Sequence, residues 1–391
     1  MNFAFEPELL MLRDAVRRFV QKELLPLEPQ YANEPDIPDE LRERLQARAK
    51  ALGFWAFDLP EAFGGGGIGH VGTCLVFEEL AKCNVPSFRA QTVLTPYLGP
   101  VLLHGTPEQQ EKYLLPVVRG EKRTCFALTE PGGGSDPSAM RTLAKREHGN
   151  YRINGTKTFI TGADKADFVQ LFARTSDEGR DLGVSCFLID RDTPGLRLGQ
   201  RFKLMSPDQP WELVLDGVVL PASQMVGEPG CGWELAREFL DVGRLAHGPK
   251  AIGRAERALQ MAVDYANQRS TFGQPLAKRQ AIQWMIADSA TELNAARLLT
   301  YHAAWKADQG LDFHVEAAQV KLQADEMYMR VADRALQIHG GLGLSRELPL
   351  ELMFRDARSR LITEGSSEMQ RIIIATDLLS GRSGTNRLIA S

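Results

Sequence analysis

Four segments of the chain carry residues able to do chemistry. Thr129-Glu130-Pro131-Gly132-Gly133-Gly134-Ser135-Asp136 follows an apparent strand, Cys125–Leu128. Its successive glycines let the backbone come close to a ligand and present N–H groups, while Thr129 and Ser135 add hydroxyls. Taken alone, the same residues make an ordinary glycine-rich hairpin connection. A dinucleotide-binding fingerprint is excluded, because position 137 is Pro137 and no helical pattern follows, and so is a phosphate loop, because no Gly-Lys-Ser/Thr occurs. Gln337-Ile338-His339-Gly340-Gly341-Leu342-Gly343 closes a helical stretch, where glycines ordinarily cap. Thr363-Glu364-Gly365-Ser366-Ser367-Glu368-Met369-Gln370-Arg371 introduces the last helix with Ser366 or Ser367 as caps, so Glu364 lies in a loop at its positive end. Arg269-Ser270-Thr271-Phe272-Gly273 stands at another helix end, where a solvated arginine is the ordinary reading. Neither H-x-x-x-H nor H-E-x-x-H occurs among the seven histidines, which argues against a metal centre, and the absence of G-x-S-x-G argues against a serine triad.

Three regions must position these segments. Residues 1–120 read as an N-terminal helical domain: Leu9, Leu12, Val16, Phe19 and Val20 fall at helical spacing before Pro26 interrupts them. Thr106-Pro107-Glu108-Gln109 combines an N-cap, a first-position proline and a capping-box glutamine, and predicts a helix ending near Pro116. Gly64–Gly67 reads as a mobile turn. From 121 to 232 the period becomes two. Tyr151 and Ile153, then Thr156, Thr158 and Ile160, flank Asn154-Gly155, which predicts a hairpin turn. Further β runs at Phe168–Phe172, Val184–Ile189 and Trp211–Val219 have no helices between them, which points to an antiparallel β-barrel or sandwich domain. From 233 to 391 helical period returns at 233–268, 313–338 and 364–380, and Ile282, Met285, Ile286, Ser289, Leu293, Ala296 and Leu299 trace one stripe. Four amphipathic helices predict a C-terminal four-helix bundle, so the fold class is mainly α with a central β domain.

Composition sets the outer bounds. The 391 residues are 43% hydrophobic and 25% charged, the balance of an ordinary globular protein. A net charge of −4 leaves no basic field for nucleic acid or an anionic membrane, so an anionic ligand has to be met by a few placed residues. Five scattered cysteines without C-x-x-C indicate buried thiols rather than disulfides or a thiolate metal site. No targeting segment and no run of 18 apolar residues is seen, and the expectation is a cytoplasmic protein without membrane insertion.

Together and in order, Thr129–Asp136, Lys157–Thr161, Asp241–Arg244, Arg269–Gly273, Gln337–Gly341 and Glu364–Arg371 resemble the acyl-CoA dehydrogenase family over nearly the whole chain. Leu59–Gly65 is similar to that family's N-terminal pattern. The resemblance implies a homotetramer, a dimer of dimers, binding one FAD per subunit between the β-domain and the helices. It implies that Phe126, Leu128, Thr129, Gly134 and Ser135 line the flavin, that Thr129 and Thr161 hydrogen-bond the isoalloxazine edge, and that Phe159 and Ile160 pack there. Arg269, with Thr271 and Phe272, resembles the element that meets the FAD pyrophosphate of a neighbouring subunit. Gln337, Gly340, Gly341, Ser366 and Glu368 resemble the residues of the adenosine half, and Ser135, Asp241, Arg244 and Gly365 those that meet the CoA substrate.

Glu364 matches the family's catalytic base, which removes a proton α to the thioester carbonyl while the β-hydrogen leaves as hydride to flavin N5. Some family members place the base at the position that is Gly243 here, which leaves Glu364 as the implied base. The implied activity is α,β-dehydrogenation of an acyl-CoA to the 2,3-enoyl-CoA, with electrons passed to an electron-transfer flavoprotein. The alternatives are an acyl-CoA oxidase or other flavoenzyme on the same scaffold, or a non-catalytic acyl-CoA-binding protein. Leu204–Trp211 lacks the usual Met-Gly, Thr363 replaces a frequent aromatic, and Arg89 stands where it could meet a carboxylated acyl group.

Overall fold

The computed structural model describes residues 4–85, 93–136 and 139–381; Arg89 lies outside them. In chain order the helices are α1 (Pro7–Phe19), α2 (Glu28–Tyr31), α3 (Asp39–Ala51), α4 (Gly69–Leu80), α5 (Pro107–Gln109), α6 (Leu115–Val118), α7 (Gly232–Gln268), α8 (Gln280–Asp308), α9 (His314–His339), α10 (Leu350–Arg360) and α11 (Ser367–Leu379). The strands are β1 (Thr124–Ala127), β2 (Leu143–Glu147), β3 (Asn150–Ile160), β4 (Phe168–Asp177), β5 (Arg180–Asp190), β6 (Leu196–Arg201), β7 (Trp211–Pro221), β8 (Met225–Val226), β9 (Ser270–Thr271) and β10 (Gln274–Pro275). Two compact units result, one from Met1–Ala47, Ile68–Ala90 and Gly243–Ser391, the other from Arg48–Gly67 and Gln91–Val242.

The first unit is helical. Ala251, Ala255, Ala258, Ala262 and Ala266 of α7 are buried against Leu293 and Ala296 of α8 and against Ala324, Met327, Val331 and Ala335 of α9. Alanines at a spacing of three and four let helix axes approach closely, and the larger side chains fill the gaps. The α8 stripe read from the sequence is the face that turns inward: Ser289, Leu293 and Ala296 are buried. Helix α10 has no clean apolar stripe in the sequence. Its inward face includes Asp356 and Arg360 beside Leu352, Met353 and Ala357, and charges on the buried side mask the hydrophobic period.

The second unit is built on one mixed sheet of order β6-β7-β3-β2-β4-β5-β8, with β1 also paired to β4. Its neighbours are antiparallel except β1·β4 and β2·β4, so β4 departs from the antiparallel expectation. Both faces of β4 are covered. Phe168 and Phe172 point into a core with Tyr113, Val117 and Leu188, while Val169 and Leu171 join Tyr151, Ile153 and Phe187 on the other side. A strand buried on both faces reads as a continuous apolar run, which Phe168–Ala173 is.

Two local expectations are corrected. Asn154-Gly155 is not a turn: β3 runs straight through it, with a bulge against β7 between Ile153 and Gly155. An added β-carbon at Gly155 would lie 2.4 Å from Thr142 Oγ1, so glycine is there for close approach. The hairpin turn falls at His148-Gly149, both at positive φ, 51° and 80°. The helix begun at Thr106 runs through a π-type segment at Gln110–Leu114 and ends at Val118, near Pro116 as expected. The carbonyl of Lys112, which the proline nitrogen cannot serve, accepts from Lys122 Nζ at 3.2 Å. Finally, Gly64–Gly67 is a packed turn: Gly66 N donates to Ala56 O and Gly67 N to Leu59 O, both at 2.9 Å, and a β-carbon at Gly65 would meet Leu59 O at 2.2 Å.

Candidate functional site

In the β unit the glycine-rich segment is held from beneath by one ion pair. Glu130 is buried and its carboxylate accepts from Arg141 N at 2.7 Å, Thr142 N at 2.9 Å and Lys157 Nζ at 2.8 Å. Lys157, fully buried on β3, also donates to Leu128 O at 2.9 Å, and Thr158 N donates to Thr129 O at 2.9 Å. Burial pushes the Glu130 carboxyl up, but its hydrogen bonds outweigh burial and hold it below the usual carboxylate range. The backbone from Leu128 to Thr129 is thereby fixed while Gly134 and Ser135 remain exposed.

Around that loop, Phe159 has positive φ, 57°, and is 53% exposed, an uncommon state for a large aromatic. Its ring lies 4.5 Å from that of Phe202. Thr161 Oγ1 donates to Asp208 Oδ2 at 3.3 Å, and Ile160 is buried. Phe126 faces the core, stacked at 3.9 Å on Phe239. A β-carbon at Gly132 would meet nothing within 4 Å, and at Gly134 only Thr129 Cγ2 at 3.9 Å. Open glycine backbone, threonine hydroxyls and an outward aromatic form a donor set that fits the polar edge and flat face of a flavin. Asp241, also of this unit, is 8% exposed and lines a groove of about 610 Å³ with His104, Cys231, Glu234, Arg237 and Glu238.

In the helical unit, Arg269 is exposed at the end of α7, and Leu276 N donates to its carbonyl at 2.8 Å. The β9–β10 hairpin that follows turns at Phe272-Gly273, with φ of 49° and 77°, and leaves the Phe272 ring 98% exposed. Gln337, Gly340 and Gly341 are exposed where α9 ends, Gly340 with φ 59°, and neither glycine would bring a β-carbon within 4 Å of anything. His339 is spoken for: Nδ1 lies 2.8 Å from Ala335 O, and the ring stacks at 4.4 Å on Tyr265. No group of three or more candidate metal ligands exists among the described residues.

Glu364 precedes α11 in a left-handed conformation, φ 54°, and Gly365 follows at 93°. Non-glycine residues in that region concentrate at functional sites. Ser366 is the N-cap, its side chain accepting from Met369 N, and Gln370 Nε2 ties the loop by donating to Gly365 O at 2.8 Å. The exposed Glu368 carboxyl is held below its ordinary value by its hydrogen bond to Ser366. Oε2 of Glu364 is buried without a hydrogen-bond partner. It occupies the space that a side chain at Gly243 would need, since a β-carbon there would lie 2.2 Å from it. Arg244, the next residue of α7, is 7% exposed, and its Nη2 is 3.8 Å from where a β-carbon on Gly365 would stand. Glu364, Gly365, Gly243 and Arg244 therefore meet within this unit.

Sequence reasoning missed the pair behind Glu364. His247 Nε2 lies 3.8 Å from Glu364 Oε2, and His247 Nδ1 is 2.7 Å from Asp325 Oδ2 on α9. Asp325 also binds Arg360 Nε at 3.1 Å and lies 3.4 Å from Lys321 Nζ. The available clue is spacing: Gly243 and His247 are i and i+4 on one helix and so share a face.

Three family models, the N-terminal, middle and C-terminal domains of acyl-CoA dehydrogenase, match residues 6–121, 125–218 and 230–379. The chain is 38% identical over 372 residues to the mitochondrial short-chain specific acyl-CoA dehydrogenase of Bos taurus, covering 94% of this chain and 89% of that protein. The structure of butyryl-CoA dehydrogenase from Megasphaera elsdenii is similar with a TM-score of 0.87 at 35% identity, over 97% of this chain and 100% of that one. The FAD complex of PigA is similar with a TM-score of 0.89 at 29% identity, over 98% and 100%.

Proposed function

On the premise that the chain belongs to the acyl-CoA dehydrogenase family, whose members are FAD-dependent oxidoreductases, we propose that it converts an acyl-CoA thioester to its 2,3-enoyl-CoA with Glu364 as the base. The observation that carries this reading is the Glu364 carboxylate: one oxygen buried without a hydrogen bond, on a left-handed residue, in the space left by Gly243. A carboxylate with no hydrogen bond committed at that oxygen is free to take up a proton as a general base. FAD, when bound, supplies the acceptor for the β-hydrogen and its electron pair.

The chain's own residues divide the remaining work. Glu364 takes the α-proton, and its backbone N–H is the donor we assign to the thioester oxygen, where charge develops. Thr129, Thr161, Gly134, Ser135 and Phe159 hold the isoalloxazine, Arg269 and the Thr271–Phe272 hairpin meet the pyrophosphate, and Gln337, Gly340, Gly341, Ser366 and Glu368 hold the adenosine half. Asp241, Arg244 and Gly365 bind the CoA ester, the arginine presenting a planar fork of donors to phosphate. The electron acceptor we propose is an electron-transfer flavoprotein.

Anaerobic addition of acyl-CoA thioesters, beginning with butyryl-CoA, is expected to bleach the flavin absorbance. Glu364→Gln is expected to keep the flavin and abolish bleaching. Undiminished bleaching in that variant refutes the assignment of the base. Rapid reoxidation by air with peroxide release identifies an oxidase instead, and a preparation that cannot be reconstituted with FAD identifies a non-catalytic binding protein.

A further inference from the structure

His247 sits one helical turn beyond Gly243 on α7, 6% exposed, between two carboxylates. Asp325, fully buried, can only accept, so the 2.7 Å contact at Nδ1 fixes the hydrogen on that nitrogen and leaves Nε2 facing Glu364. Every charged group around the imidazole bears on whether it holds a second proton. Asp325 and Glu364 favour one. Arg360, which donates from Nη2 to His247 O at 3.2 Å, opposes it. Asp325 is already matched by two cations, Arg360 at 3.1 Å and Lys321 at 3.4 Å, so it has little need of an imidazolium. Burial, opposed by Asp325 and seconded by Arg360, pushes His247 below its ordinary value.

A neutral ring with its hydrogen on Nδ1 and a carboxylate both present lone pairs. The separation of 3.8 Å between Nε2 and Oε2 is what two acceptors keep, too long for a hydrogen bond in a pair otherwise in contact. Adding one proton to Glu364 turns the same approach into a donor–acceptor pair. Resting on the reading of Glu364 as base, we propose that His247, clamped by Asp325, is a positioning residue that repels the carboxylate of Glu364 and latches its protonated carboxyl.

In the reaction the Cα–H bond breaks, an O–H bond forms on Glu364, and the electron pair stays on the thioester enolate. Rotation about Cγ–Cδ of Glu364, a broad two-fold torsion, exchanges the two carboxyl oxygens and brings the new hydroxyl to Nε2. The proton remains on oxygen and is held by the nitrogen lone pair. The hydrogen bond exists only after proton abstraction, so it stabilises the enolate state and raises its population for exchange rather than tightening substrate binding.

The test separates proton abstraction from flavin reduction. The full-length FAD-loaded enzyme is incubated in deuterated water with an acyl-CoA carrying sulfur in place of the β-carbon, which has no hydride to give, and α-deuterium uptake is followed. Removing His247 as Leu is expected to slow exchange about tenfold, the loss of one hydrogen bond, with no change in the concentration for half-saturation. His247→Gln, whose amide oxygen can accept, is expected to recover most of that loss. Nitrogen NMR of wild-type enzyme labelled at histidine is expected to report His247 neutral, with Nδ1–H, at about pH 7, within the range where a free imidazole titrates, and its Nε2 resonance is expected to move when the analogue binds. Wild-type exchange in His247→Leu, a defect confined to half-saturation, or an imidazolium in the wild-type enzyme at pH 7 overturns the proposal. The NMR outcome decides even if the leucine variant does not fold. Glu364→Gln is run alongside: persistent exchange there refutes the base itself, whereas abolished exchange there with a normal His247→Leu refutes only the latch.

Discussion

Gly243 has no side chain where Glu364 keeps its carboxylate. A β-carbon at that position would lie 2.2 Å from Oε2 and 3.1 Å from Cδ. The obstructed atoms belong to the free end of a side chain, so Gly243→Ala is expected to leave folding nearly intact and to displace the base. Misplacing a reacting group by about 1 Å costs on the order of 10²-fold in rate. The expected outcome is a fall of that order in kcat with the flavin retained and the melting temperature moved by only a few degrees. Loss of flavin or unfolding would mean that Gly243 serves the helix instead. A contrasting case lies behind the base. Burial pushes the Asp325 carboxyl up, but the hydrogen bond from His247 and the charges of Arg360 and Lys321 outweigh it and hold the carboxyl below the usual carboxylate range. It is thus ionised at any working pH, and Asp325→Asn leaves Arg360 and Lys321 buried with an amide in place of a charge. Breaking such a buried arrangement costs about 3–5 kcal/mol. Denaturant unfolding should show that loss directly, whereas Gly243→Ala should not.

At the scale of elements, the glycine-rich loop after β1 depends on the Glu130–Lys157 pair. The folded Glu130 carboxyl binds its proton less tightly than an unfolded glutamate, so its contribution is complete above the ordinary glutamate range and fades as pH falls through the lowered folded value. Flavin held by Thr129–Ser135 is therefore expected to be released on acidification below roughly pH 4.3, the unperturbed glutamate value, and release can be followed by the rise of free-flavin fluorescence. Glu130→Gln keeps the shape without the charge and should bind flavin more weakly at pH 7, with little further change on acidification. An identical acid profile in both proteins would locate the titrating group elsewhere. The loop itself is legible in the sequence, as are the α8 stripe and the capping box at Thr106, because each is encoded in residues close together in the chain. Lys157 as its partner is not, since a lone lysine in a strand reads as solvent-facing. The same physics explains Asn154-Gly155. Short-range composition matched a turn, but the glycine answers a distant neighbour, Thr142, across β2 and β3. His247 and Asp325 were hidden for a related reason: a buried polar network is defined by partners 78 positions apart, which no local period reveals.

For the molecule as a whole, the net charge of −4 has to coexist with two polyanionic ligands, and the proposed answer is a few cations placed singly. Arg244 is nearly buried beside Gly365, whereas Arg269 is exposed, next to a hairpin whose Phe272 ring is 98% exposed. The helical unit shows further large apolar side chains, Trp284 at 60%, Ile362 at 61%, Ile372 at 55% and Leu379 at 88% exposure. We propose that these side chains belong to an association surface whose partner is another copy of the chain. If Arg269 serves the flavin of a neighbouring subunit, as the family resemblance implies, then assembly and cofactor retention are one equilibrium. Light scattering is expected to give a tetramer of the 43.4 kDa chain. Dilution is expected to dissociate the tetramer and release FAD over the same concentration range, because a ligand bound only by the assembled state shifts with it by mass action. Phe272→Asp sets a charge on the hairpin without touching the core, and should yield smaller species with flavin content reduced in proportion. A variant that dissociates yet keeps its full flavin would show that Arg269 and Phe272 act within their own subunit, and a wild-type monomer with stoichiometric flavin would remove the shared site altogether.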